Sequence, residues 1–99
     1  MEHFNEVHKI LEVKKLAEWS DFVSSGGLDT ETEAEVLELL AKSADRYFFI
    51  RQLVDYCNEK ISNFSEIDTA YKYGQKLPEF ADKNQETLYN LFINIRSDK

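Results

Sequence analysis

The chain has 99 residues, of which 42% are hydrophobic and 13% aromatic, and a formal net charge of −7. This length predicts a single domain over residues 1–99, with room for one modest core, and the apolar content excludes an intrinsically disordered chain. The negative charge argues against direct binding of DNA, RNA or an anionic membrane surface, all of which attract Lys and Arg.

With 3 Gly and 1 Pro there is little material for tight turns, which favours an all-α chain over a many-stranded sheet. The single cysteine, Cys57, excludes an intramolecular disulfide framework. No apolar run approaches the ~18 residues of a membrane span. The opening residues Met1-Glu2-His3-Phe4-Asn5-Glu6 lack the basic region and apolar run of a signal peptide. The expectation is a cytoplasmic protein with no cofactor.

Residues 2 to about 24 read as a helix whose apolar face moves along its length. At about 100° per residue, Phe4, Val7, Ile10 and Leu11 form one stripe, and Val13, Leu16, Ala17, Trp19 and Val23 form another nearly opposite. We expect one helix buried on different sides at its two ends. Ser24-Ser25-Gly26-Gly27 then breaks the chain, because glycine supplies the positive φ that ends a helix. Thr30 and Glu33 fit an S/T-x-x-E capping box for the next helix.

The dominant pattern follows. Val36, Leu40, Ser43, Tyr47, Ile50, Val54, Cys57, Ile61 and Phe64 recur at alternating spacings of four and three, the seam of a helix packing lengthwise on others. Neither Gly nor Pro occurs between Leu28 and Gly74, and the seam keeps phase across its one polar member, Ser43. We therefore expect a long central helix at about 31–63, with Lys42 to Asp45 as the place for any kink or break. Ser65 can cap a short helix from Glu66 to Tyr73, ended by Gly74. Gln75 to Phe80 reads as loop, and a last helix from about Asp82 or Asn84 to Arg96, with Asn84 as its candidate N-cap, carries Leu88, Leu91, Phe92 and Ile95 on one face. The fold class is an all-α bundle of four or five helices organised around the 31–63 helix.

No stretch carries a catalytic, nucleotide-binding or metal-binding signature. His3 and Glu6 share a helix face, but His8 points about 140° from His3, and no second cluster completes a metal site. Cys57 lies on the apolar seam without a neighbouring base and reads as a small core residue. Arg46, Arg51 and Arg96 are the only arginines; a small helical enzyme binding an anionic substrate would have to bring them together.

Two features stand out. Between Leu16 and Ala41 lie seven acidic residues, Glu18, Asp21, Asp29, Glu31, Glu33, Glu35 and Glu38, with no Lys or Arg. Helix-dipole compensation and solvation account for such a run. The sharper reading is a negative patch for a basic partner surface, as in an inhibitor, immunity-type or nucleic-acid-mimicking protein. The second feature is Tyr47-Phe48-Phe49-Ile50, four large residues that point all round a helix. Phe48 extends a row with Leu37, Ala41 and Ala44, and Phe49 groups with Leu53 and Tyr56. More apolar surface than one stripe requires implies a central helix covered on all sides, or a homodimer interface drawn from Phe48, Phe49, Leu53 and Tyr56. The functional expectation is a non-catalytic protein-interaction module that self-associates. The acidic inhibitor is the alternative, and an enzyme comes last.

Overall fold

In the computed structural model, which describes the backbone of residues 2–97 and the side chains of residues 13–97, five helices and no strand occur among the described residues. They are α1 (Glu2–Ser24), α2 (Thr30–Lys42), α3 (Arg46–Lys60), α4 (Phe64–Lys72) and α5 (Lys83–Ser97). The all-α bundle stands as expected from the periodicity. The Phe4, Val7, Ile10 and Leu11 stripe and the His3, Glu6 and His8 group lie outside the described side chains. Of the second stripe on α1, Trp19 and Val23 are buried, Leu16 is half-buried, and Val13 and Ala17 face outward.

The central helix expected over 31–63 is two helices, broken where Ser43 interrupts the seam. No glycine or proline is involved. The Ser43 hydroxyl donates to the Leu39 carbonyl at 2.7 Å and its N–H to the Leu40 carbonyl at 3.1 Å, which closes the last turn of α2. Ser43 and Asp45 both adopt extended backbone, and the Asp45 carboxylate accepts the Phe48 N–H at 2.8 Å as the cap of α3. Three non-helical residues reset the phase, so the buried stripe of α3 is Phe49, Leu53 and Cys57. Tyr47, which the uninterrupted seam would bury, is exposed instead.

Other helix starts fall near their expected places but use different caps. α2 is capped by Asp29, whose carboxylate accepts the Thr32 N–H at 2.9 Å, rather than by Thr30. Asp82, not Asn84, caps α5, through the Gln85 N–H at 2.8 Å. Asn84 is thereby free to bridge two helix starts: its amide donates to Thr32 Oγ1 at 2.9 Å and its Oδ1 accepts the Asp29 N–H at 2.9 Å. α4 starts at Phe64 with no side-chain cap, ahead of the start expected after Ser65. It ends as expected at Gly74, whose φ of +66° lets the Gln75 N–H reach the Ala70 carbonyl at 2.8 Å.

One apolar cluster links all five helices, with Trp19 and Val23 from α1, Val36 and Leu40 from α2, the α3 stripe, Phe64 and Ile67, and Leu88 to Ile95 from α5. Ring contacts run through it. Phe64 packs edge-on against Tyr89 and Phe92 at centroid distances of 6.0 and 5.8 Å, and Trp19 meets Phe49 at 5.7 Å. The Gln75–Phe80 loop is tied back by Asn63 Nδ2 donating to the Glu79 carbonyl at 3.1 Å and by Phe80 resting on Tyr89.

Candidate functional site

The helix breaks decide which polar and aromatic residues remain on the surface. The acidic run occupies the end of α1, the following loop and α2, where its members do different work. Asp29 is a cap, and the Thr32 N–H bond holds its carboxyl below the usual range. Glu35 accepts the Tyr56 hydroxyl at 2.8 Å, joining α2 to α3; burial and the adjacent carboxylate push the Tyr56 phenol well above its usual pKa. Glu38 pairs with Lys42 at 2.9 Å and Glu18 with Lys15 at 3.4 Å. Asp21, Glu31 and Glu33 have no side-chain partner among the described residues. Four of the seven acidic residues are thus engaged within this chain.

The four residues expected to form a self-association surface separate. Phe49 and Leu53 are fully buried in this chain's own core and are not available to a second copy. Phase explains this: with α3 restarted at Asp45, the row containing Phe49 and Leu53 turns inward. Tyr56 is half-buried and committed to Glu35. Phe48 stays outside at 45% exposure, beside Tyr47 at 74%. Ala41 and Ala44, from the same row as Phe48, are exposed as well.

The most connected polar group lies where no sequence signal pointed. Asp68 of α4 accepts bonds from the Tyr89 hydroxyl at 2.9 Å and from Arg96 at 3.0 and 3.3 Å, with Lys72 at 3.4 Å. The Arg96 guanidinium also lies 4.7 Å from the centre of the Phe92 ring and 5.8 Å from that of Tyr71. Burial pushes the Asp68 carboxyl up, but the Arg96 and Tyr89 bonds outweigh it, and its pKa falls below the ordinary carboxylate value. The Tyr89 phenol is driven the other way, first by burial and then by Asp68. Tyr89 and Arg96 both bond Asp68, which makes the group a clasp between α4 and α5. Its partners lie 21 and 28 residues apart, beyond the reach of any local pattern.

Cys57 is buried in α3, and burial, with the Asp68 charge second, pushes its thiol up to about 12; at neutral pH it is a protonated core residue. Among the described residues no three His, Cys, Asp or Glu side chains are placed to hold a metal. No described helix is long and apolar enough to cross a membrane. Arg51 is exposed on α3, whereas Arg96 is taken up by Asp68.

Three surface grooves are lined by described residues. Two of about 310 and 270 Å³ share Phe22 and Asn94 and make up the trough between the end of α1 and α5. The third, about 520 Å³, runs along the loop at Leu77 to Lys83. No arginine lines any of these three. Comparison with family models, with curated proteins and with solved structures finds no match to this chain.

Proposed function

We propose that this chain is a non-catalytic, cytoplasmic protein-interaction module that self-associates through the outer surface at the α2–α3 junction. The observation behind this reading is the exposure of two adjacent aromatic side chains, Tyr47 and Phe48, at the start of α3. Exposed aromatics are enriched at interface centres, where flat rings bury large areas at low entropic cost. The simplest arrangement is a two-fold dimer in which the same patch meets itself.

Sedimentation velocity tests it. Wild type is expected to sediment as a dimer at high micromolar concentration and Phe48→Glu as a folded monomer, because an interface cannot bury an unpaired carboxylate. A wild type that is monomeric throughout that range rejects the reading.

A second reading has its own support in Asp21, Glu31 and Glu33, three carboxylates with no cation beside them among the described residues. The surface then docks a basic protein. Polylysine binding followed by fluorescence anisotropy is expected to weaken steeply between about 0.05 and 0.3 M NaCl, as screening shortens from roughly 14 to 6 Å. The double variant Glu31→Gln, Glu33→Gln should weaken it further at low salt. Binding that ignores salt rejects this reading.

A further inference from the structure

α3 packs against α1, α2, α4 and α5, yet one side of it stays open. Its buried stripe is Phe49, Leu53 and Cys57. At about 100° per residue, Phe48, Arg51 and Asp55 fall within about 60° of one another, on the side of the helix opposite that stripe. All three are exposed. Arg51 and Asp55 carry opposite charges four residues apart, the spacing at which helix neighbours meet, but neither has a side-chain partner among the described residues. Acid before base is the favourable order along a helix, as in the Glu38–Lys42 and Asp68–Lys72 pairs, and here the base comes first.

We infer that the open side of α3 is a self-complementary face on which a second copy of this chain docks antiparallel, each Arg51 pairing with the partner's Asp55. A two-fold axis perpendicular to α3 at the level of Leu53 makes this exchange. Arg51 and Asp55 each lie two residues from that level, about 3 Å at 1.5 Å per residue. The axis therefore brings Arg51 of one copy level with Asp55 of the other, twice. Phe48 stands three residues before Arg51 on the same side, so one ring flanks the charge pairs at each end and helps to exclude water from them.

Charge favours a second copy over other occupants. The chain carries a net charge of −7, so two copies repel except where the facing surfaces are balanced, as the row of Phe48, Arg51 and Asp55 is. A basic partner would set a like charge against Arg51, and an acidic one against Asp55. The same row inverted supplies each with its opposite. The inference rests on the self-association reading for the existence of a dimer; it adds the helix, its direction and its register, and extends the contact from the α2–α3 junction along α3.

The test compares wild type, Arg51→Glu, Asp55→Lys and an equimolar mixture of the two variants by sedimentation velocity. Both positions are exposed and both replacements are good helix formers, and circular dichroism checks that each variant is folded. Each reversal turns both symmetry-related pairs into like-charge contacts and is expected to weaken dimerisation about tenfold to thirtyfold. In the mixture, one chain of each kind regains two opposite-charge pairs, so a mixed dimer should form with nearly wild-type affinity. Variants that dimerise as tightly as wild type overturn the charge pairing and leave self-association in place. Weakened variants whose mixture stays monomeric overturn the antiparallel register. A wild type that is monomeric at high micromolar concentration overturns both readings.

Discussion

Replacing Phe49 with alanine is expected to cost about 3–5 kcal/mol of folding stability, and replacing its neighbour Phe48 less than about 1 kcal/mol. Both are phenylalanines in the first turn of α3, with the same helix propensity, so the difference isolates their surroundings. Phe49 has no exposed surface and meets Trp19 of α1 at 5.7 Å; its removal leaves a cavity between two helices that the backbone cannot close. Phe48 keeps nearly half its surface in water and loses little. Domains of this size are stable by roughly 5–15 kcal/mol. At about 4 °C or more per kcal/mol, Phe49→Ala should therefore lower the melting temperature by at least about 12 °C. Urea unfolding followed by circular dichroism reads both variants. Equal losses, or the larger loss at position 48, would mean that α3 is rotated from the phase described.

Asp68→Ala should destabilise by about 2–4 kcal/mol, because it strands the Arg96 guanidinium and the Tyr89 hydroxyl in partly buried surroundings. The side chains concerned are 13% exposed for Asp68 and 24% for Arg96, so solvent screening is limited. Tyr89→Phe removes one hydroxyl and leaves Asp68 with Arg96 and Lys72. It should cost only about 1 kcal/mol.

The pH dependence separates charge pairing from packing. The folded pKa of Asp68 lies below its unfolded value, so its contribution is complete above the unfolded carboxyl pKa of about 3.9 and is lost as pH falls through the folded pKa. Wild type and Asp68→Asn should accordingly differ most at neutral pH and converge below about pH 4. A difference that is as large at pH 3 as at pH 7 would assign the effect to packing instead.

Several features were legible because they are local. A helix announces itself through apolar residues three and four apart, and its ends through short polar side chains that compete for backbone hydrogen bonds. Thus the helical outline, the Gly27 and Gly74 stops and the suspect position at Ser43 could all be read along the chain. The continuous 31–63 helix failed for a local reason too: a serine hydroxyl bonded to its own helix and an aspartate cap together end and restart a helix as effectively as glycine. The unbroken four-three spacing concealed this, because the two possible stripes on α3 converge at Cys57. Cap choice slipped by one or two residues for a similar reason. Asp29 and Thr30, or Asp82 and Asn84, are chemically competent alternatives, and only the surroundings choose between them.

Residues brought together from distant parts of the chain left no such trace. Asp68 reads as one more carboxylate on an acidic chain until α5 places Tyr89 and Arg96 beside it. Glu35 belongs to a charge run until α3 brings up the Tyr56 hydroxyl. The α1–α5 trough joins positions more than 60 residues apart. What the sequence by itself determined was helical class and the supply of apolar and acidic residues, since these depend on spacing and composition. Only the tertiary structure decided which phenylalanine is core and which is surface, which carboxylates are paired, and where a groove opens. Those outcomes depend on which helices lie against each other, and the phase of one helix carries no information about the neighbour it will meet.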